Sequence, residues 1–195
     1  MTLHVVLASH NAHKVAEFQR ILARDVTDII IEAYDGPEPV EDGASFDENA
    51  LIKARAAAAH TGRVALADDS GISVDIMGGA PGIFSARWSG TREDAANRRL
   101  LLAQLADIDD LNRAARFHCA IAIVDPVSGT ENVARGEWPG RVARAESGEN
   151  GFGYDSIFVP EGFSVSSAEL APEHKNEISH RARAFQAAVP LLQAL

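Results

Sequence analysis

Cysteine is nearly absent from this chain of 195 residues, because Cys119 is the only one. A single cysteine excludes a disulfide within the chain and gives no sign of an oxidising compartment. Long apolar runs are absent too, and none approaches the roughly 18 consecutive apolar residues of a membrane span. The first residues lack the basic and apolar segments of a signal peptide. We therefore expect a soluble, cytoplasmic protein without a membrane partner.

Basic clusters are also lacking, and the formal net charge is -10. Nucleic-acid affinity depends on clustered Lys and Arg side chains that neutralise phosphates, so a nucleic-acid partner is not expected. The same acidity would repel a small phosphorylated ligand. Binding of such a ligand must therefore rely on local cations, backbone amides and a metal ion.

Several signatures of nucleotide-binding and hydrolytic enzymes are missing. The patterns G-x-x-x-x-G-K-[ST], G-x-G-x-x-G and G-x-S-x-G do not occur, which argues against a Walker loop, a dinucleotide fold and a serine hydrolase. His10 and His13 have the spacing of a metal pair, but no further ligands follow at recognisable spacing.

Apolar residues alternate between strand and helix spacing along the chain, which predicts a single-domain α/β fold on a mixed sheet. Large apolar residues recur at every second position in residues 117–123, and a turn at residues 126–129 indicates a hairpin. Strands are predicted at residues 3–8, 29–33, 63–67, 72–76, 116–125, 131–138 and 156–159, and helices at 15–22, 46–60, 91–105 and after Ser167 and Ser179.

Two adjacent carboxylates, Asp68 and Asp69, lie at the predicted end of strand 63–67 and precede Ser70 and Gly71. Mg²⁺ prefers hard oxygen ligands, and a carboxylate beside it can deprotonate an attacking water. We predict that Asp69 takes this role with Asp68 next to it. A simple polar turn explains these residues equally well, since Asp, Ser and Gly dominate turns. The D-x-D spacing of haloacid dehalogenase-type phosphatases is absent at this strand end.

Phosphate-binding groups are predicted in two further segments. Residues 9–14 join the first strand to a helix, so backbone amides and the Lys14 ammonium could hold phosphates, although an ordinary helix cap is an equal alternative. Asn49 and Lys53 share a helix face, and Glu41 precedes that helix. A loop acid and a surface lysine are the simpler interpretation.

Residues 148–155 are rich in glycine around Phe152 and Tyr154, which suits the stacking of a flat ligand on an aromatic ring. A tight turn with two core aromatics is the commoner explanation. His180 and Arg181 begin the last helix, with Lys175 ahead of them, and offer donors there or a plain helix cap.

The order of six motifs is more specific than any one of them. The motifs, S-x-N-x-x-K, F-x-E-N-A-x-x-K-A, A-D-D-S-G, G-G-x-P-G-x-x-S-A-R, G-F-G-Y-D and K-x-x-x-S-H-R, occupy residues 9–14, 46–54, 67–71, 78–87, 151–155 and 175–181. Together they resemble the non-canonical purine NTP pyrophosphatases, the dITP/XTP pyrophosphatase or inosine triphosphatase family, over nearly the whole chain.

The resemblance implies an elongated mixed α/β fold whose two lobes enclose an active-site cleft, a homodimer, Mg²⁺ as cofactor, and hydrolysis of ITP, dITP or XTP to the monophosphate and pyrophosphate. Ser9 and His10 stand where Thr and Gly are frequent in the family, and Ser156 replaces a common proline. The implied roles are catalysis by Asp69; metal binding by Asp69, Glu41 and Asp68; and substrate binding by Ser9, His10, Asn11, Ala12, His13, Lys14, Lys53, Ser70, Phe152, Gly153, Tyr154, Asp155, Lys175, His180 and Arg181.

Two other functions remain open on the sequence. A pyrophosphatase for another modified nucleotide would share the same motifs. A noncatalytic nucleotide sensor would bind ITP without turnover, although the paired carboxylates beside phosphate ligands argue against it.

Overall fold

The computed structural model describes residues 3–9 and 29–195 of the chain. Within these ranges it contains six β-strands, four α-helices and short 3-10 segments. The strands are β1 (Leu3–Leu7), β2 (Ile29–Ala33), β3 (Ala65–Val74), β4 (Ala114–Val124), β5 (Glu131–Val142) and β6 (Phe158–Pro160), and the helices are α1 (Phe46–Thr61), α2 (Asp94–Gln104), α3 (Pro172–Ile178) and α4 (His180–Gln193).

All six strands form one sheet in the order β2-β1-β3-β4-β5-β6. β1 pairs in parallel with β2 and with β3, whereas β5 and β6 pair antiparallel. The predicted mixed α/β sheet is therefore confirmed. No helix in the described ranges is long and apolar enough to cross a membrane.

The chain divides into two compact units. The first takes the described residues up to Asp69, together with Cys119–Gly136 and His180–Leu195. It has two apolar clusters, one that includes Leu66 of β3 and Phe185 of α4 and one formed largely by alanines of α1 and β3.

The second unit takes Ser70–His118 and Glu137–Ser179. Its apolar cluster includes Ile72, Leu101, Trp138 and Phe158. Arg113 is buried here and donates hydrogen bonds to the carbonyl oxygens of three residues, Leu105, Val142 and Ala143. Burial lowers the pKa of this guanidinium.

α1 confirms the helix predicted from its capping pattern. The Ser45 hydroxyl accepts a hydrogen bond from the Glu48 amide at 3.2 Å, and the Glu48 carboxylate accepts one from the Ala44 amide at 2.6 Å. Gly62 ends the helix in the left-handed conformation with φ 67°, which glycine adopts without steric cost.

The predicted break between strands 63–67 and 72–76 is wrong, and the polar turn considered as an alternative for residues 68–71 is not formed. β3 runs without a break through Asp68, Asp69, Ser70 and Gly71, so the two strands predicted on either side are one. The helix predicted at residues 15–22 lies outside the described residues.

Candidate functional site

The two aspartates of β3 point to opposite faces of the sheet because strand geometry persists through them. Leu66, two residues before Asp68, packs in the cluster with α4. Ala67, two residues before Asp69, packs in the cluster with α1. Asp68 therefore lies on the α4 face and Asp69 on the α1 face, and both are buried, with 1% and 8% of their surface exposed.

Asn49 of α1 connects Asp69 to the loop that precedes the helix. Its amide nitrogen donates to Asp69 Oδ2 at 3.3 Å, and its Oδ1 accepts from the Gly43 backbone amide at 2.9 Å. Asn49 is 1% exposed. Because Oδ1 is occupied by a backbone donor, the NH₂ group of Asn49 is directed to Asp69.

Lys53 lies one helical turn after Asn49 and joins two carboxylates. Its Nζ is 3.2 Å from Asp69 Oδ1 and 3.3 Å from Glu41 Oε1. Burial by itself would lower the pKa of Lys53, but attraction to Asp69, then to Asp68 and Glu41, outweighs it. The pKa is raised above its ordinary value, so the ammonium stays charged at neutral pH.

Asp68 faces the start of α4. Arg181 Nε lies 3.8 Å from Asp68 Oδ2, and both side chains are at least nine-tenths buried. His180 is buried beside Arg181. The backbone of α4 lies close to Gly136 of β5. A Cβ at this position would fall on the His180 carbonyl oxygen and the Ala184 amide nitrogen, so glycine permits the helix to pack this closely.

Glu41 and Asp69 have the oxygen ligands that a divalent cation takes. Two carboxylates already converge on one positive group, and Mg²⁺ takes few protein carboxylates while keeping waters and phosphate oxygens as ligands. Across residues 3–9 and 29–195, no three His, Cys, Asp or Glu side chains form a ready-made metal cluster. Two carboxylates supply only part of the ligands that such an ion takes.

In the second unit, the loop at residues 151–155 is organised by Asp155. This buried carboxylate accepts hydrogen bonds from Lys175 Nζ at 2.7 Å, from Ser167 Oγ at 2.9 Å and from the Phe152 amide at 2.9 Å. A Cβ on Gly151 would fall on the same carboxylate. Asp155 thus holds both the loop and Lys175.

The two aromatic residues of this loop have different environments. Lys175 Nζ lies 5.6 Å from the centre of the partly buried Phe152 ring, within the range of a cation–π contact. Tyr154 is buried and donates to the Ser85 carbonyl oxygen at 2.8 Å. Phe152 is therefore the more accessible of the two rings, and Tyr154 is held inside the second unit.

The structure brings the predicted residues together in three groups, Glu41 with Lys53 and Asp69, Asp68 with Arg181, and Phe152 with Asp155 and Lys175. Ser9 and Ser70 are partly buried, and Ser70 continues β3. The predicted phosphate ligands His10, Asn11, Ala12, His13 and Lys14 lie outside the described residues.

Sequence reasoning missed several residues that shape these groups. The sequence predicts Ser167 only as the start of a helix, yet its hydroxyl binds Asp155. It predicts Asp94 as part of a helix start and gives no signal for Arg98, yet both contact the backbone of Gly153. Such long-range partners leave no spacing pattern in the sequence.

Comparison with known proteins identifies close relatives along the full chain. The model of the Ham1 family matches residues 5–191. The dITP/XTP pyrophosphatase of Leifsonia xyli subsp. xyli is 61% identical, and the alignment covers 99% of this chain and 97% of the relative. The dITP/XTP pyrophosphatase of Nocardia farcinica is 52% identical, with coverage of 98% and 95%.

Solved structures agree with this result. A HAM1 protein from Coxiella burnetii superposes with a TM-score of 0.90 at 40% identity and full coverage of both chains. The Ham1 protein of Staphylococcus aureus gives a TM-score of 0.87 at 35% identity, with 98% of each chain covered. These matches confirm the family resemblance indicated by the six motifs and the predicted mixed α/β fold.

Proposed function

This chain belongs to the Ham1 family, and we propose that it hydrolyses non-canonical purine nucleoside triphosphates, dITP, ITP and XTP, to the monophosphate and pyrophosphate. The observation that carries the chemistry is the group formed by the buried Asp69 with the partly buried Lys53 and Glu41. Asp69 provides a carboxylate that can accept a proton, and Lys53 provides a positive charge that can bind a phosphate group.

In this reaction a water oxygen bonds to the α-phosphorus, and the bond from that phosphorus to the α,β-bridging oxygen breaks. Pyrophosphate leaves with the electron pair, and the proton of the water passes to a base. Asp69 is the proposed base. The Asn49 amide and the Lys53 ammonium hold its carboxylate in place, and Lys53 also offsets phosphate charge.

Glu41 and Asp69 are the proposed protein ligands of Mg²⁺, with Asp68 as a supporting carboxylate on the opposite face of β3. A divalent ion bound there supplies positive charge against the phosphates and makes a nearby water more acidic. This metal charge offsets the repulsion expected from a protein of net charge -10.

The nucleobase is proposed to stack on Phe152, with the neighbouring Lys175 as a donor that favours a 6-oxo purine. His180 and Arg181 are proposed as further donors to the nucleotide. Oxygen O6 of hypoxanthine or xanthine accepts a hydrogen bond where adenine presents an amino donor. A site of buried donors rejects such a mismatch by as much as about 10⁴-fold. The homodimer and the cytoplasmic location stay predictions.

The test is a product assay with dITP, XTP, dGTP and dATP, in the presence and absence of Mg²⁺. The proposal expects pyrophosphate and monophosphate from dITP and XTP, far slower turnover of dATP, and loss of activity without metal. Orthophosphate as the product would refute attack at the α-phosphorus. Binding of dITP without any turnover would instead indicate a nucleotide sensor.

Asp69→Asn tests the proposed base. The amide keeps the shape and the acceptor oxygen of Asp69 but cannot take a proton, so kcat should fall by about 10³-fold or more while the chain stays folded. Asp107→Asn, at an exposed carboxylate, is the matched control and should keep the wild-type rate. A near-normal rate for Asp69→Asn would remove Asp69 from the chemistry.

A further inference from the structure

Two charged side chains of α2 hold both backbone polar groups of Gly153. Asp94 Oδ2 accepts a hydrogen bond from the Gly153 amide at 2.8 Å, and Arg98 Nη1 donates one to the Gly153 carbonyl oxygen at 2.7 Å. Residues four apart share a helix face and commonly pair with each other. Here Asp94 binds the amide of Gly153 and Arg98 binds its carbonyl oxygen.

The Asp94 contact helps to set the direction of the Phe152 side chain, and the Arg98 contact holds the peptide group that follows Gly153. The Phe152 amide is held by Asp155, and the next peptide group is held through the Gly153 amide by Asp94. Because peptide groups are planar, fixing the groups on both sides of the Phe152 Cα fixes its φ and ψ angles and its Cβ direction. Gly153 has φ 61°, so it adopts this turn at no steric cost.

The helix that carries the two side chains is itself anchored. Asn97 is buried, accepts hydrogen bonds from the amide and hydroxyl of Ser89, and donates to the Ala86 carbonyl oxygen. Arg98 Nε also lies 2.9 Å from a carboxylate oxygen of Glu146, and its side chain is 17% exposed. The loop is thus attached to a fixed element of the second unit.

We propose that Asp94 and Arg98 are positioning residues for nucleobase recognition, which act by setting the orientation of the Phe152 ring. The inference rests on the proposed function, because it assigns Phe152 the stacking role. Neither side chain needs to touch the base. A ring that tilts or shifts loses its stacking geometry and also displaces the base from the donors that select it.

The principal test compares Arg98→Gln with the wild-type enzyme. Glutamine removes the guanidinium fork that holds Gly153 and Glu146 together. We expect the ratio of kcat/KM for dITP to kcat/KM for dATP to fall by at least about tenfold, since a small displacement of a bound substrate is costly. Asp94→Asn, which weakens the acceptor for the Gly153 amide, should lower the same ratio.

Arg99→Gln is the matched control, since Arg99 is exposed on the same helix; it should leave the ratio unchanged. Arg98→Lys keeps the charge but not the fork, and it takes the place of Arg98→Gln in the test if that variant does not fold. If folded Arg98 and Asp94 variants lose rate on dITP and dATP equally, or lose none, the proposal is overturned, because a general structural defect does not change base selectivity.

Equilibrium binding separates this proposal from the proposed function. Calorimetry with dIMP and dAMP needs no turnover, so it reports on the base site even if the wild-type chain releases no pyrophosphate from dITP. The Arg98 variants should lose affinity for dIMP by about tenfold and affinity for dAMP much less. An unchanged preference for dIMP would contradict the positioning role, whatever the wild-type activity.

Discussion

The buried side-chain amide of Asn49 connects the loop after Glu41 to Asp69. Its two hydrogen bonds, from the Gly43 amide and to Asp69, are both needed, because a buried polar group without a partner costs about 1–3 kcal/mol. Asn49 shares a helix face with Lys53, and this much was predicted from the sequence. Its bond to Asp69 was not, since the two residues are 20 positions apart.

Asn49→Asp is the informative change at this position. The new carboxylate still accepts from the Gly43 amide, but it cannot donate to Asp69 and places a negative charge beside it. We expect kcat/KM for dITP to fall by about tenfold or more, the loss of a hydrogen bond to a charged group. Asn112→Asp adds the same charge at an exposed site and should have little effect. Equal rates for the two variants would contradict the role of Asn49.

Tyr154 gives a pH dependence with a defined sign. Burial raises the pKa of its phenol, the nearby Asp94 carboxylate raises it further, and Arg98 opposes this effect. The folded-state pKa of Tyr154 therefore lies above the unfolded value of about 10. The protonated phenol contributes its full stabilisation below about pH 10, and this stabilisation is lost as the pH rises through the folded-state pKa. Ionisation would also remove the donor to Ser85.

Tyr154→Phe should therefore cost about 1 kcal/mol at about pH 8, through the lost hydrogen bond, and should show a shallower loss of stability than the wild type above about pH 10. Urea unfolding at a series of pH values measures both. Tyr34, the only other tyrosine, also has a raised pKa because of burial, so Tyr34→Phe is the comparison. If the free energy of unfolding of Tyr154→Phe falls with pH above about pH 10 as steeply as that of the wild type, another group causes the loss of stability.

Elements were predicted best where the pattern is local. α1 has its own cap, its own alanine face and its own terminal glycine, and the structure places it one residue from the predicted end. β3 shows the opposite case. The order Asp-Asp-Ser-Gly is typical of a turn, but Asn49 and Lys53 on one face and Arg181 on the other compensate the buried carboxylates. Those partners come from distant segments, so no local pattern could reveal the strand.

The packing of α4 against β5 depends on Gly136. Its missing side chain leaves room for the backbone of His180 and Ala184, and Arg181 next to them reaches Asp68. Gly136→Ala should displace the start of α4, lower the free energy of unfolding by about 1–3 kcal/mol and reduce kcat/KM for dITP.

Gly129→Ala is the control for Gly136→Ala. Gly129 has φ 73° and no atom within 4 Å of a built Cβ, so alanine there meets only backbone strain of about 1–2 kcal/mol and no displaced helix. Chemical unfolding and dITP kinetics of both variants provide the measurement. If Gly136→Ala keeps wild-type kcat/KM, the position of α4 does not control the site.

Over the whole molecule, each unit has its own apolar core. Leu66, Phe185 and their neighbours serve the first unit, and Ile72, Phe158 and theirs serve the second. The sequence predicted most strands of the sheet, but it could not show that the first unit gathers three separate segments of the chain. In the first unit, the carboxylates Glu41 and Asp69 share the Lys53 ammonium, which offsets part of their negative charge.

Metal removal should therefore abolish activity without unfolding the chain. With EDTA we expect pyrophosphate release from dITP to fall to background, while the unfolding temperature changes by less than about 3 °C, which corresponds to roughly 1 kcal/mol for a protein of this size. EDTA that has been saturated with Mg²⁺ is the control for the chelator itself, and added Mg²⁺ should restore the rate. A large fall in the unfolding temperature would show that the ion stabilises the fold, since the carboxylates would then depend on it rather than on Lys53.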